Sequence, residues 1–189
     1  MERNHVAKNT QYKAYDFIKS DCYRYTCKSD LFSVFKLYMQ NSVFRWQVAF
    51  RMCKASGIKK VIGLFMWRMN RQRKKIQIPR STQIGYGFYI AHEGYIVISS
   101  TATIGNNCNI SQFCTIGTNA GRAANIGNNV YIGPNSCIVE NVTIEDNVTI
   151  GAGSVVTKDV PKNATVAGNY AKVLNFDNPG RFILNRWEM

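Results

Sequence analysis

The chain has 189 residues, of which 46% are hydrophobic, and its formal net charge at neutral pH is +13. This composition is typical of a globular protein and excludes a disordered one, and the length allows one domain with a helical appendage. No run of 18 or more apolar residues is present, and the first 15 residues lack the apolar segment of a signal peptide. We therefore predict no transmembrane helix and expect a cytoplasmic protein.

The positive charge is confined to the first part of the chain. Residues 1–80 hold 18 Lys and Arg against 4 Asp and Glu, whereas residues 81–189 hold 6 against 7. A region of this kind can face nucleic acid, an anionic membrane surface or a phosphorylated ligand. Because no nucleic-acid-binding motif accompanies the charge, we do not expect nucleic-acid binding. The six cysteines form no C-x-x-C pair, and with two histidines they predict buried thiols and no metal site.

The basic region, residues 1–75, is predicted to be helical from residue 10 onward. Asp30 is a candidate N-cap of LFSVFKLYMQ, and Ser42 can start a helix that ends before Gly57. In residues 58–75 the apolar side chains share one helix face, formed by Ile58, Val61, Ile62, Phe65, Met66 and Met69. Two interpretations stay open. The helices can cap the repeats that follow, or residues 58–75 can form an anchor at a membrane surface, with Phe65 and Trp67 beside basic residues.

A period of six dominates the next part of the chain. From residue 98 onward it divides into hexapeptides that each begin with an aliphatic residue, with one insertion of four residues. The leading residues are Ile98, Ile104, Ile110, Ile116, Ile126, Ile132, Ile138, Ile144, Ile150 and Val156. Upstream, Ile78, Ile84 and Ile90 continue the pattern, with two extra residues before Ile98. This period fits neither an isolated helix nor a single strand, but it fits a solenoid with three short strands per turn.

The remaining positions of each hexapeptide agree with a solenoid. The leading residue should point inside, together with the small apolar residue four positions later, at Ala102, Cys108, Cys114, Val130, Val142 and Val148. The Gly, Asn and Asp residues that follow suit turns, in which a positive φ costs little for Gly and Asn. Successive coils should stack as parallel strands, about 4.8 Å apart.

These repeats resemble the hexapeptide-repeat acyltransferases, and their serine acetyltransferase branch in particular. The segments that carry the resemblance are GYGFYIAHEGYIVISSTATIGNNCNISQFCTIG (85–117) and VYIGPNSCIVENVTIEDNVTIGAGSVVTKDVPKNATVAGNYAKV (130–173). The resemblance covers residues 76–173 and implies a left-handed parallel β-helix. We therefore expect a mainly β protein with a basic helical region at 1–75, a β-helix domain at 76–173 and a C-terminal tail at 174–189.

The resemblance also implies an active site. The matching histidine is His92, in AHEGYIVI, as the general base that takes the proton of an acceptor hydroxyl while the oxygen attacks the thioester of acetyl-CoA. No metal is required for this reaction. The branch places an Asp fifteen residues before this histidine, where the chain has Gln77, so we expect Gln77 or the adjacent Glu93 to orient or assist His92.

Departures from the branch favour an acceptor other than serine. Ala91 stands where the branch has an Asp that contacts the amino acid, and in the loop GTNAGRAAN (117–125) Ala123 stands where it has a second His. The segment at 76–79 and the short N-terminal region look more like sugar O-acetyltransferases of surface-polysaccharide clusters. We therefore expect a sugar hydroxyl as the acceptor, with serine O-acetylation in cysteine biosynthesis as the alternative. A scaffold without catalysis is a third interpretation, which the motif around His92 disfavours.

For the donor, the resemblance implies acetyl-CoA bound between neighbouring β-helices of a homotrimer. The matching candidates are Gly117, Gly133, Pro134, Gly151 and Ala152, with Lys158 as a phosphate contact. Each glycine can equally meet a turn requirement. Arg122, in the loop, is a candidate contact for the acceptor or for a CoA phosphate.

Overall fold

The computed structural model describes residues 13–188, and for residues 70–74 it describes the backbone alone. Within this part of the chain, helices precede a long series of short strands. The helices are α1 (Ala14–Thr26), α2 (Leu31–Gln40), α3 (Ser42–Met52) and α4 (Gly57–Lys74). The strands are β1 (Ile76–Gln77), β2 (Gln83–Ile84), β3 (Tyr89–Ile90), β4 (Ile96–Ile98), β5 (Thr103–Ile104), β6 (Asn109–Ile110), β7 (Thr115–Gly117), β8 (Asn125–Ile126), β9 (Tyr131–Ile132), β10 (Cys137–Val139), β11 (Thr143–Ile144), β12 (Thr149–Ile150), β13 (Val155–Val156), β14 (Thr165–Ala167) and β15 (Lys172–Asn175).

The strands form a three-sided prism of about five coils. Sheet A contains β1, β4, β7, β10 and β13, sheet B contains β2, β5, β8 and β11, and sheet C contains β3, β6, β9, β12, β14 and β15. All neighbouring strands are parallel except β14 and β15, which pair antiparallel at the end of sheet C. The predicted fold class, a left-handed parallel β-helix preceded by helices, is confirmed.

The interior of the prism is built as the period of six predicts. Equivalent isoleucines stack coil on coil, as Ile84, Ile104, Ile126 and Ile144 do in sheet B. All the leading residues from Ile78 to Val156 are at most 5% exposed, and so are the small apolar residues four positions after them. Turns contain asparagines with positive φ, namely Asn107, Asn129, Asn135, Asn147 and Asn163. The repeat therefore fixes both the core and the corners.

Helices α1 and α3 cover the open end of the first coil. Apolar side chains of α3, including Trp46 and Phe50, belong to the same buried cluster as the isoleucines of the coils. Polar side chains of the two helices bond to backbone groups of residues 84–90 that no preceding coil can satisfy. The pairs are Arg51 to the Ile84 and Gly85 carbonyls, Gly87 N–H to Ser20 Oγ, Arg24 to the Gly87 carbonyl, Phe88 N–H to Asp21, Gln47 to the Phe88 carbonyl and Ile90 N–H to the Tyr25 hydroxyl. The first of the two open interpretations, an end cap, therefore describes α1 and α3.

A buried ion pair organises this cap. Asp21 and Arg51 are each 1% exposed, and two hydrogen bonds of 2.8 Å and 2.9 Å join the guanidinium to the carboxylate. The guanidinium also donates to the Ile84 and Gly85 carbonyls and the carboxylate accepts from Phe88 N–H, so the pair connects both helices to the first coil of the β-helix. Paired geometry with further hydrogen bonds is the arrangement in which a buried charge is tolerated.

The predicted apolar face of α4 does not lie against the coils. Gly63 of α4 packs on α3, since a Cβ built there would lie 2.5 Å from the carbonyl carbon of Met52. With Gly63 on the inside, the opposite face points outward, and its side chains are 46–71% exposed, at Ile58, Val61, Ile62, Phe65 and Met69. Of the predicted face only Met66 is partly buried, against the small cluster around Phe44. On α2, Asp30 caps the helix as predicted and accepts from Ser33 N–H.

The C-terminal tail runs back along the prism to the helices. Asn109 donates to the Phe182 carbonyl, and Asn107 both donates to the Trp187 carbonyl and accepts from its N–H. Trp187 also packs edge-on against Tyr23 of α1, with 5.5 Å between the ring centroids. The tail therefore connects the last coils to the cap. No helix within the described residues is both long and apolar enough to cross a membrane.

We expect replacement of Asp21 by Asn to destabilise the fold by about 3–5 kcal/mol, because Arg51 would stay buried without a carboxylate. Urea denaturation followed by circular dichroism measures this change. The matched control is Asp16→Asn on the same helix, where an exposed pair with Lys19 at 3.5 Å should contribute no more than about 1 kcal/mol. Equal effects of the two replacements would contradict the role given to the buried pair.

Candidate functional site

Two edges of the prism border sheet A. At the first, which we call the His92 edge, the chain passes from sheet C into sheet A through residues 91–95, 111–114, 133–136 and 151–154. At the second, which we call the loop edge, it passes from sheet A into sheet B through turns that include residues 118–124 and 157–159. Because coils stack about 4.8 Å apart, groups on one edge form a row along the axis.

His92 lies on the first turn of the His92 edge, between β3 and β4. This turn contains the two residues by which the first coil exceeds the regular repeat. Its side chain is exposed, and no described residue forms a hydrogen bond with the imidazole ring. An exposed imidazole with no hydrogen-bond partner among the described residues is available to a ligand, as a general base must be.

The predicted assistants of His92 lie nearby in the fold but do not bond to it. Gln77 is exposed on β1, where it pairs in register with Val97 of β4, the strand that follows the His92 turn. No hydrogen bond joins Gln77 to His92 in the described residues. Glu93 and Ala91 flank His92 on the same turn, the first exposed and the second partly buried. The orienting role of Gln77 or Glu93 stays a prediction.

Four of the predicted donor contacts lie on the same edge as His92. Gly133 and Pro134 form the third turn of the row, and Gly151 and Ala152 form the fourth. Stacking alone requires the two glycines, because a Cβ on Gly133 would lie 2.8 Å from the Ile150 carbonyl oxygen and one on Gly151 would lie 2.9 Å from Ala167 Cβ. Close stacking of successive coils therefore explains these glycines, whatever ligand lies along the row.

The other predicted contacts lie on the loop edge. Gly117 ends β7, Arg122 is exposed in the following loop, and Lys158 follows β13. The loop is held by Glu140, which accepts from Thr118 Oγ1 at 2.7 Å, and this hydrogen bond lowers the pKa of the carboxyl. A single chain therefore does not bring these three residues together with His92, and their roles stay predictions. Unlike Gly133 and Gly151, Gly117 has room for a Cβ, with the nearest atom at 3.7 Å.

Two residues at the His92 edge escaped the sequence interpretation. Gln112 lies directly above the His92 turn, since a Cβ on Gly94 would lie 2.6 Å from Gln112 Cβ, and its buried Oε1 has no hydrogen-bond partner in the described residues. Phe113 follows, half exposed, with a φ of 61° that bulky residues rarely adopt. A signal was available, because the turn positions of other coils contain Gly or Asn where this coil has Phe113.

Comparison with known proteins adds to this geometry. Residues 123–158 match the family described as bacterial transferase hexapeptide (six repeats). The soybean serine acetyltransferase apoenzyme is 27% identical with a TM-score of 0.65, and the alignment covers 83% of this chain and 66% of that one. The Neisseria gonorrhoeae serine acetyltransferase in complex with serine is 28% identical with a TM-score of 0.66, covering 84% and 68%. The predicted resemblance to hexapeptide-repeat acyltransferases, in their serine acetyltransferase-like branch, is confirmed.

The alignments with serine acetyltransferases cover only part of those proteins. The chain spans 66% of the length of the soybean enzyme. A further serine acetyltransferase, solved in complex with CoA, is 24% identical with a TM-score of 0.64 and covers 85% of this chain and 68% of that one, which supports the fold. A sequence comparison with curated proteins finds no match. In the described residues no three His, Cys, Asp or Glu side chains lie close enough to share a metal ion.

Proposed function

We propose that the protein is an acetyl-CoA-dependent O-acetyltransferase with His92 as the general base. The observation that carries the proposal is the row along the His92 edge, in which an exposed histidine is followed by the turns of Gly133–Pro134 and Gly151–Ala152. Two coil spacings, about 10 Å, separate the His92 turn from the Gly133 turn, a span suited to an extended ligand that lies along the axis. Acetyl-CoA is the donor that the serine acetyltransferase-like fold suggests.

The chemistry follows from the position of His92. The neutral imidazole accepts the proton of the acceptor hydroxyl while the oxygen attacks the thioester carbonyl, which gives a tetrahedral intermediate. The intermediate collapses, the C–S bond breaks, and the CoA thiolate leaves and takes up a proton. The oxyanion of the intermediate needs donors nearby, such as main-chain N–H groups of the turns.

We propose a sugar hydroxyl as the acceptor, in the synthesis of a surface polysaccharide. Ala91 beside His92 supports this choice, because it stands where the resemblance implies a carboxylate that contacts the amino acid, and Gln77 on β1 places an amide near the same turn. An amide cannot neutralise an ammonium group, whereas it can bond to a hydroxyl.

Serine is the second candidate. The observation that favours it is the name shared by the similar structures, one of which was solved in complex with serine. The same fold and the same position of His92 would serve a serine hydroxyl equally well, so the acceptor has to be decided by activity.

Thiol release from acetyl-CoA, measured with serine and then with a panel of sugars and sugar phosphates, tests both candidates. We expect turnover with a sugar, and we expect His92→Ala to reduce kcat by about 10²–10⁴-fold because proton transfer contributes that much. The matched control is His5→Ala, which replaces the only other histidine and should keep full activity. Efficient turnover of serine would overturn the sugar acceptor, and full activity of His92→Ala would overturn the mechanism.

We also propose that three chains assemble around sheet A and complete the site. Exposed apolar side chains along the His92 edge and on sheet A support an interface there, at Tyr95, Val97 and Phe113. Assembly across this surface would bring the loop edge of one chain, with Arg122 and Lys158, toward the His92 edge of another.

Light scattering coupled to gel filtration should therefore give about three times the chain mass of 21.4 kDa. Val97→Lys, which places a charge on the proposed interface, should yield monomers with little activity. A wild-type monomer with full activity would contradict the shared site.

Finally, we propose that α2 and α4 contact an anionic membrane surface. Besides the exposed face of α4, α2 presents Leu31, Phe32, Phe35 and Met39, each at least 59% exposed. Neither helix contains an acidic residue, whereas α4 contains six Lys and Arg. Exposed aromatic and aliphatic side chains beside unbalanced positive charge suit the boundary of anionic lipids better than a protein partner of neutral surface.

Vesicle co-sedimentation tests this contact. We expect binding to vesicles that contain phosphatidylglycerol and weaker binding to phosphatidylcholine alone. Phe35→Ser with Phe65→Ser should weaken binding at least about tenfold, since each buried Phe contributes about 1.5–3 kcal/mol. The control is Leu174→Ser, an equally exposed apolar residue on β15. The membrane contact would be refuted if the double variant sedimented with vesicles as the wild type does. It would also be refuted if the double variant lost a contact between chains and kept its vesicle binding.

A further inference from the structure

A second concave surface lies beside the His92 edge, between α4 and the first strands of sheet A. We call it the α4 groove. Its volume is about 1110 Å³, and its walls include Lys60 and Trp67 of α4, Lys75, Gln77 and Arg80, together with Tyr95 and Val97, which also belong to the proposed interface between chains. Tyr95 ends the turn that carries His92, and Gln77 is the predicted assistant of that histidine. The groove therefore borders the turn that carries the proposed catalytic base, and His92 itself lies outside its walls.

Three cations line this groove without a balancing charge. None of the described residues that form its walls is acidic. Neither of the two ion pairs in the described residues involves Lys60, Lys75 or Arg80. Like charges gathered in one concavity repel each other, and they focus the field on an anion that enters. This repulsion between the cations is offset when an anion binds.

Aromatic rings hold two of the cations at the walls. Arg80 Cζ lies 5.3 Å from the centroid of the Trp67 ring, and Lys75 Nζ lies 4.5 Å from that of Tyr95. Such contacts fix the position of a cation without neutralising it. The donors of both side chains thus stay available to phosphate oxygens, which Arg and Lys bind through charge-assisted hydrogen bonds.

The groove has room for a ligand larger than an amino acid. Pockets of roughly 300–1000 Å³ suit ligands much larger than a single amino acid, and the α4 groove slightly exceeds that range. An acceptor that brings two or more negative charges would match the three cations. A neutral monosaccharide or a zwitterionic serine would leave them unpaired.

We propose that the α4 groove binds the phosphate or diphosphate group of a phosphorylated sugar acceptor and positions its hydroxyl at His92. This proposal rests on the proposed function, because it names the class of acceptor for the same site. The phosphate can belong to a soluble sugar phosphate or to a lipid-linked sugar at a membrane. The recognition chemistry is the same for both.

Equilibrium binding to the full chain tests the groove without any turnover. The calorimetric probes are glucose 1-phosphate, inorganic pyrophosphate and glucose. We expect the two phosphate probes to bind at least tenfold more tightly than glucose and to weaken as salt is added. Lys75→Gln with Arg80→Gln should reduce phosphate binding at least tenfold, and the control Lys59→Gln, an exposed lysine of α4 outside the groove walls, should not.

Further arms separate the proposal from its alternatives. His92→Ala should bind the phosphate probes as the wild type does, so that failure of catalysis and failure of the groove give different results. In the transfer assay, the double variant should raise KM for a phosphorylated acceptor and leave KM for acetyl-CoA unchanged. A raised KM for acetyl-CoA would assign the groove to CoA and overturn the proposal, as would glucose binding as tightly as the phosphate probes.

Vesicles that contain phosphatidic acid distinguish the source of the phosphate. If the double variant loses vesicle binding together with binding of glucose 1-phosphate, the groove accepts a phosphate from either source. Loss of glucose 1-phosphate binding alone supports a soluble acceptor. If both kinds of binding persist in a folded double variant, with an unchanged melting temperature, the groove does not recognise phosphate and the proposal fails.

Discussion

The β-helix depends on a partner for the backbone of its first coil. Each later coil satisfies its N–H and C=O groups through the coil before it, but residues 84–90 have none, and a bare edge would invite pairing with another chain. Side chains of α1 and α3 fill this role. Asp21, Arg51, Arg24, Gln47 and Tyr25 supply the hydrogen bonds that a preceding coil would otherwise make to this backbone. Because the tail from Phe182 to Trp187 also reaches α1, the cap is joined to both ends of the prism.

The need to cap the first coil explains why α3 packs on the coils and α4 does not. With α3 committed to the coils, α4 packs on α3 through Gly63, and its larger apolar side chains face outward. The same packing leaves α4 beside β1 rather than on it, which creates the α4 groove with Lys60 and Trp67 on one wall and Gln77 on the other. The exposed apolar face of α4 and the α4 groove therefore both result from the packing of α4 on α3.

Much of this was predictable from sequence because the β-helix is a local repeat. Each hexapeptide specifies its own inward residue and its own turn, so Ile84 or Asn129 can be assigned without knowing any distant contact. The helical region has no such period, and amphipathicity alone could not tell that the face of Ile58 and Phe65 points away from the coils. The sequence also could not show that Arg122 and Lys158 lie on a different edge of the prism from His92. A resemblance to a family matches positions along the chain, but it does not show which edges of the prism come together.

The position of the family match bears on the acceptor. Residues 123–158 cover the coils that carry Gly133, Pro134, Gly151 and Ala152, where a donor would lie, but they include neither His92 nor any wall of the α4 groove. One wall of that groove comes from the basic helical region, which the hexapeptide repeat does not specify. Likeness in the coils therefore supports the proposed acyl donor and the scaffold, whereas the proposed acceptor depends on α4 and the first coil, through Ala91, Lys75 and Arg80. A helical cap that evolves independently of the coils is a simple physical route by which one scaffold can exchange a zwitterionic acceptor for an anionic one.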